Sequence, residues 1–296
     1  MQTVSEPELE PPFVVHEPAR QTAPFVFNAP HAGAVYPASF LTASRLDALT
    51  LRRSEDSFVD VLFSDVVALG APLMAARFPR AYLDVNREPY ELDPRMFDAR
   101  LPAFANTRSM RVAGGLGTIP RIVADGQDIY RRHLATNEAL HRIEWLYKPY
   151  HRTLRQLVLR TASAFGYAVL IDCHSMPSTS LNREDGVKAD VVLGDRYRTS
   201  CDALLADLVE IALRARGYSV VRNKPYAGGF ITEHYGEPAI GHHALQIEIN
   251  RALYMDERTF AKKPGFDTLA GDLKDAFGIV IEEIGDDLMP RRMAAE

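Results

Sequence analysis

Apolar runs with the character of buried strands alternate along this chain with stretches whose apolar residues recur at helical spacing. Residues 25–28, 167–172 and 244–249 contain continuous or alternating apolar side chains, many of them β-branched or aromatic, as strands inside a sheet do. Helical spacing is clearest over residues 129–164 and 200–216. Strands that alternate with helices predict a layered α/β fold.

The pattern also predicts where individual elements begin. Residues 54–69 are expected to form one helix that is capped by Ser54, because Glu55 and Asp56 would complement the dipole of its first turn. A short strand is expected at residues 81–85, where apolar and polar side chains alternate.

Two stretches lack this periodicity. Residues 1–20 begin with a segment rich in glutamate and proline, which predicts a short disordered tail and no signal peptide. Residues 88–126 are rich in proline, glycine, asparagine and arginine, as expected of loops that cover a site. Residues 21–296 are therefore expected to form a single domain that carries this cover segment.

Composition and charge narrow the class of protein. The 296 residues carry a formal net charge of −5 with a sequence pI near 6.0, whereas a surface that binds nucleic acid would normally be basic. No apolar stretch reaches the length of a membrane span, so no membrane partner is expected. The two cysteines, Cys173 and Cys201, provide neither a disulfide framework nor a four-cysteine zinc site. These features predict a cytoplasmic protein and leave open whether it is a monomer or a homo-oligomer.

Two histidines follow strand-like runs in distant parts of the chain. His31 ends the run that starts at Phe25, and His174 ends the run that starts at Ala168. In open α/β sheets, sites are built at the edge beyond the carboxyl ends of the strands. Two histidines that reach this edge separately indicate the nitrogen ligands of a metal site, and therefore an enzyme.

The third ligand of such a site is expected from Glu55 or Asp56, which follow the first strand along the chain. A catalytic zinc takes three protein ligands and keeps one position for water, and two histidines with a carboxylate are a common set. The spacing leaves both acids open as the ligand, and both could instead serve only the helix dipole.

Glu248 is the candidate general base. It lies in the alternating segment 245–249, where it shares a face with Gln246 and opposes three aliphatic residues. A carboxylate inside a central strand is destabilising unless it is paired or functional. A partly desolvated glutamate has the raised pKa that a base for a metal-activated water requires. The alternative is an edge strand with a solvated polar face.

The segment 80–87 is the candidate anchor for a substrate carboxylate. If it forms a strand, alternation places Arg80, Asp84 and Asn86 on one face, with Arg87 at its end. The guanidinium group of an arginine can bind a carboxylate through two parallel hydrogen bonds. A surface strand of paired charges would have the same pattern.

Taken in order, six short segments between residues 25 and 256 resemble the N-formylglutamate amidohydrolase family. The segments are NAPHAG at 28–33, SEDSFVD at 54–60, RAYLDVNR at 80–87, DCHS at 172–175, GGFITEHYG at 228–236 and QIE at 246–248. The resemblance implies a zinc-carboxypeptidase-like mixed sheet flanked by helices. It also implies hydrolysis of N-formyl-L-glutamate to formate and L-glutamate, a reaction of histidine degradation.

The resemblance further implies Zn²⁺, or another divalent metal, as the cofactor and a small N-acyl amino acid as the substrate. By this resemblance His31, Asp56 and His174 match the metal ligands, and Glu248 matches the general base.

The remaining site residues are expected at the substrate. Those expected to contact it are Asn86, Arg87, Asp84 and Thr232. His234 or Arg80 is expected to donate the hydrogen bond that stabilises the oxyanion of the reaction. The chain departs from the family at Glu233, where an arginine is expected, and this leaves the acyl amino acid open.

Two other functions fit the same residues. The chain could hydrolyse a different N-acyl amino acid or a small peptide. It could also be a catalytically idle member that binds amino acids or a partner.

Overall fold

Seven strands form one mixed sheet within the residues that the computed structural model describes, which are 6–123, 126–181, 189–285 and 287–289. The strands are β1 (Phe13–His16), β2 (Phe25–Ala29), β3 (Leu73–Ala76), β4 (Ala168–Met176), β5 (Val191–Gly194), β6 (Val220–Arg222) and β7 (His242–Asn250). Their order in the sheet is β1-β3-β2-β4-β7-β5-β6. Strands β2, β4 and β7 are parallel, whereas β5 is antiparallel to β7 and parallel to β6.

Helices account for most of the remaining regular structure. They are α1 (Ala38–Ala43), α2 (Ala48–Leu51), α3 (Val59–Leu62), α4 (Met110–Ala113), α5 (Thr136–Arg142), α6 (Lys148–Phe165), α7 (Ala203–Arg214), α8 (Phe230–Tyr235) and α9 (Phe266–Ile284). A π-helical turn at Ile143–Tyr147 joins α5 to α6. The predicted α/β fold, a mixed sheet flanked by helices, is confirmed. Among the described residues, none of the helices has the length and apolar character that crossing a membrane would require.

The two faces of the central strands differ in chemistry. Phe27 of β2 packs edge-on against Phe277 of α9 with ring centroids 4.9 Å apart, and its partner in the sheet register is Ile171 of β4. Because side chains alternate along a strand, the opposite face carries Asn28 and its register partner Asp172, both with no exposed surface. Burying a polar side chain destabilises a fold unless the side chain is hydrogen-bonded. This polar face therefore marks where the sheet builds a site.

Contacts between residues divide the chain into two compact units. The first consists of Met1–Val14, Pro30–Ser57 and Ala75–Thr153, and the second of Val15–Ala29, Phe58–Met74 and Leu154–Glu296. The first unit contains helices α1, α2, α4 and α5, and the second contains strands β2 and β4 to β7 with helices α3, α7, α8 and α9. A single domain over residues 21–296 stays a prediction.

The N-terminal segment differs from the predicted disordered tail. Residues 1–5 lie outside the described residues, but a 3-10 turn at Pro7–Leu9 buries Leu9 completely, and β1 follows it. The Oγ of Ser39 donates to the carboxylate of Glu6 at 2.6 Å. These contacts offset the entropy lost on ordering a segment whose composition alone favours disorder.

The helix predicted over residues 54–69 is interrupted. Helix α3 begins only at Val59, after Phe58 adopts a φ of +67°, and Ser54 ends a 3-10 turn instead of capping a helix. The main-chain N–H of Asp56 donates to the carbonyl of His31 at 3.0 Å, which holds this acid in the loop before α3. A contact between residues distant in sequence thus overrides the local helical pattern.

Residues 80–126 contain little regular structure. The strand predicted at residues 81–85 is replaced by turns, because the N–H of Asp84 donates to the carbonyl of Thr118 at 2.9 Å and no strand lies alongside in this part of the described chain. The predicted cover segment, residues 88–126, contains a 3-10 turn at Pro94–Met96 and helix α4, and its residues 124 and 125 lie outside the described residues. Its irregular backbone agrees with its composition, and a covering role stays a prediction.

Candidate metal centre and active site

A row of buried polar side chains lies on one face of β2, β4 and β7. Residues paired in the register of parallel strands point to the same face, and the register pairs Asn28 with Asp172 and Asp172 with Gln246. Two residues further along, His174 of β4 pairs with Glu248 of β7. None of the five is more than 8% exposed. The sheet therefore places a histidine and a carboxylate side by side in a buried setting.

An aspartate holds the imidazole of His174. Nε2 of His174 lies 2.8 Å from Oδ2 of Asp172, and Nδ2 of Asn28 donates to Oδ1 of the same aspartate at 2.8 Å. Because a carboxylate accepts hydrogen bonds, Nε2 carries the proton and Nδ1 keeps the electron pair that can bind a metal. A carboxylate behind a metal-binding imidazole is a common orienting device.

His31 has the same arrangement in a different part of the chain. Its Nε2 lies 2.8 Å from Oδ1 of Asp84, and its Nδ1 lies 3.4 Å from Oδ2 of Asp56. Gly33 lets the chain turn close to the segment after β3, since a Cβ at this position would stand 2.2 Å from the carbonyl oxygen of Phe78. The fold therefore brings Nδ1 of His31 beside the carboxylate of Asp56.

Asp84 connects this histidine to the arginines of segment 80–87. Besides the imidazole, it accepts from Nε of Arg80 at 2.9 Å and from the main-chain N–H of Asn86 at 2.8 Å, and Nη2 of Arg87 lies 3.4 Å away. Burial would raise the pKa of Asp84, but Arg87, Arg80 and His31 hold it well below its usual range. The sequence predicted that this aspartate contacts substrate. The structure places it behind His31 as an ionised acceptor of several protein donors, and a contact with substrate stays a prediction.

The structure also separates Glu55 from Asp56. Glu55 accepts hydrogen bonds from the hydroxyl of Tyr36 at 2.6 Å, from Oγ of Ser57 at 2.7 Å and from Nε of Arg52 at 3.1 Å. Burial and the neighbouring Glu55 raise the pKa of Tyr36 well above its ordinary value, so that hydroxyl stays a donor. The carboxylate of Glu55 is thus bound within this polar cluster, while that of Asp56 lies beside the imidazole.

His31, Asp56 and His174 form a group that could bind a metal ion. All three are buried, each offers one ligand atom, and these atoms all lie within 4.8 Å of one another. Two imidazole nitrogens and a carboxylate oxygen are a donor set of many zinc sites. The other nitrogen of each imidazole already has an aspartate partner. The chemistry of these residues therefore fits Zn²⁺, with Asp56 as the acid of the group.

Glu248 is fixed by Gln246, which was not among the residues predicted for the site. Nε2 of Gln246 donates to Oε1 of Glu248 at 3.0 Å, and Oε1 of Gln246 accepts from the main-chain N–H of Gly229 at 2.8 Å. The signal for this role was present in the sequence, since Gln246 precedes Glu248 by two residues on the same face of a strand. The main chain before α8 therefore orients the carboxylate of the candidate base through one side chain.

Arg87 and Asn86 are buried in the described part of the chain. Nε of Arg87 donates to the carbonyl of Leu116 at 2.8 Å and Nη1 donates to the carbonyl of Asn86 at 2.7 Å. Burial lowers the pKa of Arg87 to about 10, although Asp84 opposes this, so the guanidinium is still charged at neutral pH. A role of this guanidinium in binding substrate stays a prediction.

Helix α8 carries two of the predicted site residues. The hydroxyl of Thr232, which has no exposed surface, donates to the carbonyl of Gly229 at 2.8 Å, a contact that stabilises the start of the helix. Nε2 of His234 accepts from Nη2 of Arg155 at 2.7 Å, and its ring stacks on Phe230. Burial and Arg155 lower the pKa of His234, so at neutral pH its Nδ1 carries the proton and is the atom that can donate.

Glu233, where the resemblance leads one to expect an arginine, forms an ion pair. Its carboxylate lies 3.1 Å from Nη2 of Arg196, and its side chain is 61% exposed. The pair brings a guanidinium to this place from another element. The acid at position 233 therefore has a cationic partner within the protein.

We expect Asp172→Asn to weaken zinc binding by about 10- to 100-fold, because it removes the carboxylate that orients His174. A zinc titration against a competing chelator measures the affinity, and circular dichroism checks the fold. Asp98→Asn, an exposed exchange of the same kind, is the matched control. Zinc affinity of Asp172→Asn equal to that of the unmodified protein would contradict an orienting role for Asp172.

Comparisons with known proteins give a consistent result. The family model described as N-formylglutamate amidohydrolase matches residues 23–255. N-formylglutamate deformylase of Pseudomonas aeruginosa is 33% identical over 275 residues, which cover 91% of this chain and 94% of the relative. The deformylase of Pseudomonas putida is 32% identical over 79% of this chain and 82% of its own length. The crystal structure of N-formylglutamate amidohydrolase from Ralstonia eutropha JMP134 superposes with a TM-score of 0.87 at 37% identity, covering 92% of this chain and 97% of that one.

Proposed function

This chain belongs to the N-formylglutamate amidohydrolase family and is a hydrolase of an amide bond, and we propose that it cleaves N-formyl-L-glutamate to formate and L-glutamate with Zn²⁺ as its cofactor. The buried group of His31, Asp56 and His174 carries the proposal, because its donor set suits a catalytic zinc. In this proposal the reaction belongs to histidine degradation, as the resemblance implies.

The residues around this group have distinct tasks in the proposed mechanism. A zinc ion bound there would lower the pKa of a coordinated water towards ~7 and polarise the formyl oxygen. Glu248 accepts the proton of the attacking water and transfers it to the amide nitrogen, so that the C–N bond breaks and the amino acid leaves with a protonated nitrogen. Gln246 orients that carboxylate, and Asp84 and Asp172 keep the two imidazoles in place.

Cationic and donor groups bind the rest of the substrate in this proposal. Arg87, with Asn86, binds a carboxylate of the substrate, as the guanidinium fork is suited to do. The developing oxyanion is stabilised by His234 or Arg80. Among these, His234 is supported by its tautomer, since the bond from Arg155 leaves a proton on Nδ1.

A substrate panel tests the proposal. We expect formate release from N-formyl-L-glutamate by the zinc-loaded protein, with kcat/KM higher than on N-formyl-L-aspartate by about 10-fold or more, since one methylene in a fitted pocket is worth roughly 10- to 200-fold. N-acetyl-L-glutamate tests the acyl group in the same way. A higher kcat/KM on either analogue would show that the analogue is nearer to the true substrate. If the zinc-loaded protein hydrolyses none of the three compounds, the chain is better described as a binding protein.

A further inference from the structure

A cavity of about 220 Å³ lies in the first compact unit, and its lining includes no residue of the candidate metal centre. Most of its charged side chains are arginines. The arginines that line the cavity are Arg45, Arg95, Arg121, Arg131 and Arg132. Asp128 is an acidic residue of the same described lining. Five guanidinium groups around one small cavity contrast with the net charge of −5 of the whole chain.

Two of these arginines are neutralised by aspartates. Arg95 donates through Nε and Nη2 to both oxygens of Asp93, and Nε of Arg121 donates to Oδ2 of the same aspartate at 3.0 Å. Arg121 also pairs with Asp128 through Nη1. Burial would raise the pKa of Asp93, but the hydrogen bonds from Arg95 and Arg121 lower it. This part of the lining is therefore a charge-balanced and hydrogen-bonded wall.

The other three arginines have no carboxylate partner in the part of the chain that the structure describes. Arg45 and Arg131 each make one side-chain hydrogen bond, through Nε to a main-chain carbonyl, and Arg132 makes none among the described residues. All three residues are exposed. The cavity thus holds three positive charges that have no carboxylate partner among the described residues.

Two of these arginines, Arg45 and Arg131, flank the same backbone bridge between Ser44 and Tyr130. The N–H of Arg45 donates to the carbonyl of Ile129 at 2.8 Å, and the N–H of Arg131 donates to that of Ala43 at 3.0 Å. The Nε groups also donate across this bridge: that of Arg45 to the carbonyl of Tyr130, and that of Arg131 to the carbonyl of Ser44. Two like charges that flank one bridge repel, and an anion that contacts both would offset this repulsion.

We propose that this cavity binds a small anion with two or more negative charges on oxygen atoms, of the phosphate or polycarboxylate type. Guanidinium forks match both groups through paired hydrogen bonds, and three unbalanced charges suit a multivalent anion better than chloride. A volume of about 220 Å³ is below the roughly 300–1,000 Å³ of drug-sized ligand pockets, which favours a small ligand.

Titration calorimetry of the full chain with pyrophosphate and with citrate, at one ionic strength and again at a higher one, tests this inference. We expect saturable binding of at least one probe, weakened at least tenfold in Arg131→Gln/Arg132→Gln and in higher salt. Arg132→Gln alone removes a side chain without a described hydrogen bond, so it tests the site without risk to the fold. Arg152→Gln, an exposed arginine of α6, is the matched control and should bind like the unmodified protein.

The two probes distinguish the sources of the anion. Binding of pyrophosphate alone identifies a phosphate site, binding of citrate alone identifies a carboxylate site, and binding of both shows an oxyanion site without that selectivity. No saturable binding of either probe, or equal binding by the double variant, would overturn the proposal. The readout is binding and does not depend on hydrolysis, so this inference and the proposed function can fail separately.

Discussion

Replacing His174 with alanine is expected to abolish zinc binding and formate release while the protein stays folded. The substitution removes one of the three ligand residues, so its effect should exceed the ~10–100-fold expected for a residue that only orients a ligand. The lost hydrogen bond to Asp172 costs about 1–3 kcal/mol, less than the ~5–15 kcal/mol stability of a typical domain. Metal analysis of the purified variant, a formate assay and a thermal unfolding curve measure the three quantities.

His16→Ala is the matched control for this experiment, because His16 is an exposed histidine at the end of β1. It should keep the metal content and the activity of the unmodified protein. A His174→Ala protein that is free of metal and fully active would refute the metal mechanism. A variant that keeps zinc but loses activity would show that His174 is not a zinc ligand and has another role in catalysis.

Replacing Glu248 with glutamine should reduce kcat by about 10²- to 10⁴-fold, the usual contribution of a general base, and leave zinc and substrate binding unchanged. Glutamine has nearly the shape of glutamate, and its oxygen can still accept the hydrogen bond from Gln246. What it lacks is the ability to take a proton from water. Single-turnover kinetics for the chemical step and calorimetry for substrate binding separate the two effects.

The same variant discriminates between an enzyme and a binding protein. In a catalytically idle member, Glu248→Gln would change nothing that these assays measure, because the unmodified protein would already lack turnover. Glu282→Gln, an exposed exchange on α9, controls for a general effect of losing one carboxylate. Full activity of Glu248→Gln would show that another residue acts as the general base.

Local sequence patterns predicted the elements whose stability comes from burying one continuous apolar stretch. The predicted strands at 25–28, 167–172 and 244–249 correspond to β2, β4 and β7, and the predicted helix at 200–216 corresponds to α7. These segments keep their period along their whole length, and the central strands are buried on both faces. The same patterns located the two histidines and Glu248 on or just beyond central strands.

The failures share a physical cause. Residues 54–69 and 81–85 have helical and alternating patterns, but hydrogen bonds to distant residues determine their backbone: Asp56 binds His31, and Asp84 binds Thr118. Strand β1 is short and lies at the edge of the sheet, so it has little periodicity to detect. A pattern within about ten residues does not record a partner that lies twenty or more residues away.

By itself, the sequence determined the α/β fold, the family and most of the side chains proposed for the site. Only the tertiary structure decided which of these side chains meet: it grouped Asp56 with His31 and His174, bound Glu55 to Tyr36, and placed Asp84 behind an imidazole. It also collected five arginines, scattered between positions 45 and 132, around one cavity. The reason is that side-chain chemistry belongs to each residue, whereas pairing depends on which segments the fold brings within hydrogen-bonding distance.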